Sequence, residues 1–435
     1  MKILAIETSC DDTCVAIIET KKRKSPTFNI LSNIVSSQIE IHKQYGGVYP
    51  SMAKREHQRN LVPVLERAIR RAVEVRPPRV RGGLTPGSGG LIPRRSDLGL
   101  GELTTQRAGL GLGELTTGRS DLGLFSGRPP ALRAVGSERI EKILEREEYL
   151  LKELKIFLTK YQKPDIDAIA VTNGPGLDPC LWVGVNLAKA LSYFWNLPIV
   201  PVNHIEAHIL ANWLLSEKNI KKFPAISLVV SGGHTQLILM KEIGEYKILG
   251  ETRDDAAGEC FDKTAKILGL DYPGGPVISA IADKFKKEDR KTKINLPRPM
   301  LNQKNYDFSF SGLKTAVLYQ YQNTKHKSQK YKEEMCYEIQ QAIIDVLIEK
   351  TIRASKEYNV KTIMLGGGVA SNKELRKQLG KAIKQQLPKV NYVKPAIKFC
   401  SDNAVMVGIA GYFGFLNGKT RNWQKIEAKP NLRIK

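Results

Sequence analysis

The sequence has no run of about 18 consecutive apolar residues, the length that a membrane-spanning helix needs. Residues 1–6 pass directly into a strand-like apolar pattern with no basic region or cleavage site, so we expect no secretory signal. The six cysteines are spread over the whole chain, with no CxxC pair and no dense framework. We therefore expect reduced thiols, no membrane association and a cytoplasmic location.

Acidic residues are scarce relative to basic ones. The chain has 44 Asp and Glu against 68 Lys and Arg, so its formal net charge is +24. The electrostatic field of such a positive net charge attracts phosphate backbones and speeds encounters with polyanions. Nucleic acid is therefore the favoured partner. The alternative is a general enrichment in Lys that is unrelated to any partner.

Lysine is absent from residues 75–137, a segment rich in Arg and Gly. Within it, GLGELTT at 99–105 returns at 111–117, and RSDLGL at 95–100 returns at 119–124. A solenoid would need repeats of at least about 20 residues. We predict a low-complexity surface insertion, mostly disordered. Its nine Arg and four acids give +5 (9 − 4), so the rest of the chain still carries +19 (24 − 5).

The rest of the sequence alternates short apolar strands with helices. Two strands are predicted at 2–7 and 14–19 around a polar turn, and residues 225–230 and 236–240 repeat that design. Helices are predicted at 51–73, 139–161, 181–194 and from about 400 to 415. This pattern predicts an α/β protein of two similar lobes. We assign the first lobe to residues 1–74 and 138–222, and the second to residues 223–435.

Two histidines lie four positions apart in residues 203–208 (NHIEAH). On a helix, His204 and His208 lie one above the other and can share one metal ion. Glu206 is then about 200° round the helix from His204, whereas a zinc protease needs its Glu directly after the first His. A metal site is therefore the hypothesis, and a protease is disfavoured. The alternative is that both histidines only lie on an amphipathic helix.

Glycine-rich turns occur at 230–235, 272–276 and 365–372. Backbone amides in such turns approach a phosphate closely because no side chain intervenes. None is a Walker A or a dinucleotide-binding motif, and each alone is more often a simple tight turn. Together they favour a nucleotide cleft between the lobes. Its candidate polar lining residues are Asp11, Asp12, Asp262 and Asp402.

Seven segments resemble, in order, the motifs of the TsaD/Gcp/YgjD family, the tRNA adenosine threonylcarbamoyltransferases. They are residues 6–13 (IETSCDDT), 45–50 (YGGVYP), 203–208 (NHIEAH), 230–236 (VSGGHTQ), 255–259 (DAAGE), 310–315 (FSGLKT) and 366–372 (GGGVASN). The resemblance implies the actin-like, sugar-kinase-like fold, in which two ribonuclease H-like lobes enclose a nucleotide cleft. It also implies transfer of a threonylcarbamoyl group from threonylcarbamoyl-AMP to the exocyclic amine of the adenine 3′ of the anticodon, with release of AMP. The tRNAs concerned read codons that begin with A.

The same resemblance implies roles for individual residues. His204, His208 and Asp402 match the family's metal ligands, a set that favours Fe(II) and also suits Zn(II). Asp11 and Asp12 match the catalytic acidic turn that faces the reacting carbonyl. The implied substrate-binding residues are Val229, Val230, Ser231, Gly232 and Gly233 at the phosphate, Asp262 and Gly275 at the ribose and base, and Asn372 at the adenine.

Two departures from the family pattern stand out. Ser279 lies where Asp is common, which puts one ribose contact in doubt, and Asp178, Pro179 and Cys180 replace the usual small residues after a Gly-Pro-Gly turn. The implied partners are tRNA, a paralogous protein of the same fold and a small P-loop ATPase. One rival hypothesis is an ATP-dependent small-molecule kinase, which would need Mg²⁺ held by oxygens rather than imidazoles. The other is a non-catalytic tRNA-binding protein.

Overall fold

The structure is a computed structural model that describes residues 1–21, 26–74, 134–214, 222–285, 288, 294–325 and 327–435. Residues 75–133, most of the predicted insertion, lie outside the described residues, so the disorder predicted for them stays a prediction. The last four residues that we assigned to the insertion, 134–137, instead begin a helix.

The first sheet has five strands in the order β3-β2-β1-β4-β5. Their bounds are β1 (Lys2–Glu7), β2 (Asp12–Thr20), β3 (Phe28–Ser37), β4 (Ala168–Gly174) and β5 (Ile199–Asn203). β2 runs antiparallel to its two neighbours, β1 and β3, whereas β4 and β5 run parallel to β1. Every residue of β4 is buried, as expected for a strand covered on both faces. The predicted hairpin is confirmed, although Asp12 already belongs to β2 and not to the turn.

The second sheet repeats this arrangement in the order β10-β9-β6-β7-β8. Its strands are β6 (Ala225–Val230), β7 (Thr235–Glu242), β8 (Glu245–Glu251), β9 (Thr362–Gly366) and β10 (Asn391–Val393). β6, β7 and β8 are antiparallel, and β9 and β10 are parallel to β6. Each sheet therefore has a three-stranded antiparallel half and a parallel half in the same order. The predicted α/β fold of two similar lobes is confirmed.

The described part of the chain contains twelve α-helices. Those of the first half are α1 (Ile39–Lys43), α2 (Pro50–Glu74), α3 (Ala134–Ile143), α4 (Glu148–Lys160), α5 (Asp178–Trp195) and α6 (His204–Leu210). Those of the second half are α7 (Ala257–Ile267), α8 (Gly274–Ala282), α9 (Ser311–Asn323), α10 (Gln329–Glu357), α11 (Lys373–Gln386) and α12 (Ala404–Leu416). The single helix predicted at 139–161 is in fact the pair α3 and α4. The chain turns between them, where Leu144 and Glu147 are buried and Glu147 accepts a hydrogen bond from Asn186.

Two helices, α6 and α12, lie between the sheets. All residues of α12 from Ala404 to Gly414 are buried, and this helix packs along β1, β2, β4 and β5 of the first sheet. Glycine allows the close approach, because a Cβ on Gly411 would lie 2.4 Å from the Cβ of Ala170 in β4. We had assigned residues 223–435 to the second lobe, and α12 departs from that division, since its apolar surface is complementary to the first sheet. Within the described ranges, no helix combines the length and the apolar character needed to cross a bilayer.

Candidate active site and metal centre

A cleft of about 720 Å³ lies where the turns of the two lobes face each other. The first lobe contributes the turn after β1, the loop before α2 and the start of α6. The second contributes the turn after β6, residues along α7 and the loop before α8. Predicted site residues that line the cleft are Asp11, Asp12, His204, Ser231, Gly232, Gly233, Asp262 and Asp402. The fold therefore brings together most of the residues that the sequence singled out.

The histidine pair lies on α6, which begins directly after β5. Asn203 caps this helix, because its side-chain oxygen accepts hydrogen bonds from the backbone N–H groups of Ile205 (2.9 Å) and Glu206 (3.1 Å). His204 and His208 are both buried on one face, with ring centroids 4.6 Å apart. Glu206 lies away from the pair and accepts a hydrogen bond from the hydroxyl of Tyr246, as the helical spacing predicted.

Asp402, just before α12, completes a three-residue cluster with the two histidines. Its Oδ1 lies 3.6 Å from Nε2 of His204 and 3.2 Å from Nε2 of His208, and the three ligand atoms lie within 4.8 Å of one another. Neither ring nitrogen of His208 has a hydrogen-bond partner of good geometry among the described residues, although both are buried. Two imidazole nitrogens and a carboxylate oxygen that converge without bonding one another fit a shared transition metal.

Glu7 is a site residue to which the sequence analysis gave no role. It is fully buried at the end of β1, and its Oε2 lies 3.3 Å from Nδ1 of His204. Thr172 donates a hydrogen bond to Oε2 (2.6 Å), and the backbone N–H of Ser9 donates one to Oε1 (2.6 Å). The carboxylate thus holds Nδ1, which leaves Nε2 of His204 directed towards Asp402. In the sequence, the one sign of a role for Glu7 was an acidic residue at the end of an otherwise apolar strand.

The charges of this cluster change the acidity of its members. Burial favours neutral His204, yet the carboxylates of Asp402 and Glu7 overcome it and raise the pKa of His204 to about 9. Burial also opposes ionisation of Asp402 and of Glu7, but the charge of His204 holds both of these pKa values below their usual range. The pKa of His208 is lowered by burial. The carboxylates are therefore ionised at neutral pH, which is the form that binds a cation.

His234 also lines the cleft and was given no role at the sequence level. It lies in the turn between β6 and β7, where its backbone N–H donates to Oγ of Ser231 (3.1 Å) and its carbonyl accepts from the N–H of Ser231 (2.7 Å). Burial, reinforced by the charges of His204 and His208, lowers its pKa to about 4. His234 is therefore a neutral imidazole at pH 7.

Three carboxylates in the cleft have raised pKa values. Burial, with Asp11 and Asp402 adding to it, raises the pKa of Asp12 to about 7, and Oδ1 of Asp12 is buried without a hydrogen-bond partner. Burial and then the charge of Asp402 raise the pKa of Asp11. Burial also raises the pKa of Asp262 to about 6, although the backbone N–H of Gly274 donates to it at 2.7 Å. With pKa values of about 7 and about 6, Asp12 and Asp262 exchange protons near neutral pH.

A buried histidine supports the acidic turn from below. Nε2 of His57 bonds the carbonyl of Cys10 (2.9 Å), and since a carbonyl only accepts, this nitrogen carries the proton. The other nitrogen, Nδ1, therefore accepts from the hydroxyl of Thr13 (2.7 Å). Burial lowers the pKa of His57 to about 4, so the ring stays neutral in this position.

Some predicted substrate-binding residues do not line the cleft. Val229 and Val230 are fully buried in β6 and are not among the residues that line the cleft. Asn372 caps α11, with Oδ1 accepting from the N–H of Leu375 (2.9 Å) and Nδ2 donating to Gln340 (2.7 Å). Gly275 belongs to the first turn of α8, next to the Gly274 amide that binds Asp262. Ser279 is one turn further along α8, outside the cleft lining.

The tight glycine turns have a steric cause. Gly367 has a φ of +88°, and a Cβ at this position would lie 2.3 Å from the carbonyl oxygen of Val230. Gly232 and Gly233 differ, because no atom lies within 4 Å of where their Cβ would be. Position 367 requires glycine because the backbone of Val230 lies too close for a side chain. Gly232 and Gly233, in contrast, leave open space at the cleft surface.

The two sheets have the same strand order, and residues from both lobes line the cleft between them. This fold defines a two-lobed protein of the actin-like, sugar-kinase-like class. The cluster of two histidines and one carboxylate makes the site a candidate transition-metal centre. Within that class, the chain belongs to the TsaD family, tRNA N6-adenosine threonylcarbamoyltransferase, whose sequence profile matches residues 29–88 and 138–409. The interruption between these two matches falls inside the segment predicted as an insertion.

Proteins with the same family name are similar over the whole chain. The tRNA N6-adenosine threonylcarbamoyltransferase of Bacillus subtilis is 38% identical over 435 residues, which cover 100% of this chain and 96% of that protein. That of Thermosipho africanus is 38% identical and covers 100% of both chains. That of Persephonella marina is 36% identical and covers 100% of this chain and 96% of its own.

Proposed function

We propose that this protein transfers the threonylcarbamoyl group of threonylcarbamoyl-AMP to N6 of the adenine 3′ of the anticodon, in tRNAs that read codons beginning with A. The carbonyl carbon forms a bond to N6, its bond to the phosphate oxygen of AMP breaks, and N6 loses one proton. The observation that carries the proposal is the convergence of His204, His208 and Asp402 at a cleft lined by acidic and glycine-rich turns.

We assign one divalent transition metal to His204, His208 and Asp402. Two imidazoles with one carboxylate and open positions favour Fe(II), and the same set suits Zn(II). When bound, the ion supplies a Lewis acid that binds the threonyl end of the substrate and polarises its carbonyl. Glu7 acts behind the site as a positioning residue, because it fixes the ring of His204.

Asp11 and Asp12 are the proposed catalytic pair. AMP is a good leaving group, so the reaction needs positioning and removal of the N6 proton more than a strong nucleophile. The pKa of Asp12, raised to about 7, suits a group that accepts a proton near neutral pH. Its Oδ1 is buried and has no hydrogen-bond partner within the described protein, so its acceptor position is unfilled.

The glycine-rich turns are proposed to hold the AMP moiety. The open backbone at Ser231, Gly232 and Gly233 suits the phosphate, with Val229 and Val230 as the strand that carries the turn. Asp262, fixed by the start of α8 at Gly274 and Gly275, suits a ribose hydroxyl. The side chain of Asn372 caps α11. We therefore propose that Asn372 contributes to the adenine side of the site by holding the start of this helix in place.

The partners that we propose are tRNA, a paralogous protein of the same fold and a small P-loop ATPase, in the cytoplasm. A small-molecule kinase is the second candidate function, and two imidazoles in the cleft argue against it, because phosphoryl transfer uses Mg²⁺ held by oxygens. In the experiment, purified protein is reconstituted with Fe(II) or Zn(II) and combined with candidate helper proteins. Threonylcarbamoyl-AMP and tRNA are then added as substrates. Formation of threonylcarbamoyladenosine in the digested tRNA supports the proposal. ATP consumption with a small-molecule acceptor and an unmodified tRNA would support the kinase.

A further inference from the structure

Residues 419–435, which follow α12, form a strip with an excess of positive charge. They contain six basic residues and one acidic residue, so the net charge is +5 (6 − 1) over 17 positions. The basic residues are Lys419, Arg421, Lys425, Lys429, Arg433 and Lys435. We call residues 419–435 the basic strip.

The backbone of the basic strip is held firmly against the first lobe. Ile426 and Ile434 are buried, with 2% and 7% of their surface exposed. The N–H of Lys429 donates to the carbonyl of Asn173 (2.6 Å), and the carbonyl of Pro430 accepts from the N–H of Gly176 (3.1 Å). The chain passes so close to β4 that a Cβ on Gly174, whose φ is +150°, would lie 1.9 Å from the carbonyl oxygen of Lys429. The positions of the charged side chains are therefore fixed at their Cα atoms.

Several cations of the basic strip reach the protein surface. Lys425, Lys429 and Lys435 are exposed, and no ion pair is formed by them with the described part of the chain. Arg433 is paired with Glu251 at 2.7 Å, and Lys419 lies 3.8 Å from Glu206. Lys425, Lys429 and Lys435 thus carry uncompensated charge on a backbone that is already ordered. Binding a polyanion there costs less conformational entropy than ordering a flexible segment would.

The basic strip is continuous with the cleft. Pro430 is one of the residues that line the cleft, and a second cavity of about 340 Å³ runs along the strip. The aromatic ring of the strip, Trp423, packs edge-on against Tyr193 (5.5 Å) and under Arg139 (5.5 Å). The Trp423 ring is therefore packed against the protein, whereas Lys425, Lys429 and Lys435 remain available for phosphates.

We propose that the basic strip binds the phosphate backbone of tRNA where it enters the cleft. This rests on the proposed function, in which an adenine of tRNA reaches Asp11 and Asp12. Lysines on a fixed backbone neutralise phosphates without reading bases, so the strip orients the RNA and adds affinity that does not depend on sequence.

The test compares two triple variants of the full-length protein. The strip variant combines Lys425→Glu, Lys429→Glu and Lys435→Glu. The control variant makes the same charge change at exposed positions on and after α11, with Lys381→Glu, Lys384→Glu and Lys389→Glu. Filter binding of tRNA is measured at several salt concentrations, together with KM and kcat for transfer. Metal content and melting temperature check that both variants are folded.

We expect the strip variant to lose tRNA affinity at least tenfold and to show a log-log salt slope shallower by about 2 to 3, since each phosphate contact contributes about 0.7 to 0.9. Its KM for tRNA should rise with kcat changed less than about threefold, and the control variant should stay within about threefold of the parent. Equal losses in both variants, or parental affinity in the strip variant, would overturn the assignment. A parent protein that modifies no tRNA would instead contradict the proposed function.

Discussion

The carboxylate of Glu7 lies 3.3 Å from Nδ1 of His204, while Nε2 of the same ring faces Asp402 at 3.6 Å. One imidazole is thus held between a buried carboxylate behind it and the candidate metal position in front. Such an arrangement fixes the ring orientation and its tautomer and increases the basicity of the ligating nitrogen.

The first prediction concerns this carboxylate. Glu7→Gln should weaken metal binding by about 10- to 100-fold, because it removes the charge that fixes His204 and leaves the direct ligands in place. Glu206→Gln is the matched control on the same helix as the histidines, since Glu206 faces Tyr246 instead. Titration with Zn(II) or Fe(II) gives the affinities. Equal affinity in Glu7→Gln and Glu206→Gln would rule out the positioning role.

The second prediction concerns the ligands themselves. His204→Ala, His208→Ala and Asp402→Ala should each remove most of the bound transition metal and abolish threonylcarbamoyl transfer, because two ligands hold the ion far more weakly than three. Metal is measured by mass spectrometry on protein of equal melting temperature. The metal-site assignment fails if all three variants are metal-free and fully active.

The third prediction concerns pH. Because burial raises the pKa of Asp12 from 3.8 to about 7, the folded metal-free protein binds a proton that the unfolded chain releases above pH 4. Stability is therefore lost progressively as pH rises from about 4 to 7. Asp12→Asn keeps the neutral form, so it should raise the free energy of unfolding by about 1–4 kcal/mol at pH 8 and change it little at pH 4.

Urea unfolding of chelator-treated protein at both pH values checks the Asp12 prediction. Asp283→Asn, at an exposed position at the end of α8, is the control and should produce no such pH-dependent gain. In the transfer reaction, Asp12→Asn should reduce kcat by at least about 100-fold, in the range that general base catalysis contributes. A stabilised variant with parental kcat would remove Asp12 from the catalytic pair and keep only its effect on stability.

The fourth prediction concerns the insertion. Replacing residues 76–133 by a short Gly/Ser link between α2 and α3 should leave transfer activity within a few-fold of the parent, since the segment is foreign in composition and internally duplicated. Loop length has only a small cost, about 0.6 kcal/mol per doubling. Solubility, melting temperature and kcat are measured. Insoluble protein after the deletion would show that the segment contributes to the folded core.

Local patterns in the sequence were enough to predict much of the fold. The alternation in residues 2–7 and 225–230, the helix at 51–73 and the spacing of His204 and His208 each depend on neighbours a few positions apart. Repetition of the strand-turn-strand design was sufficient to predict two similar lobes. The third ligand, Asp402, came from resemblance to a family, because nothing in its own surroundings distinguishes it from a solvated carboxylate.

Other features depended on the tertiary structure. Glu7 and His204 are 197 positions apart, and α12 crosses from the second sheet's half of the chain to pack on the first sheet. Asn372 matches a substrate-binding position by sequence, yet its side chain is used to cap α11. Periodicity in a single sequence reports which face of an element is apolar. It does not report which distant element covers that face, since the packing of complementary surfaces and the pairing of buried charges decide that only when the whole chain has folded.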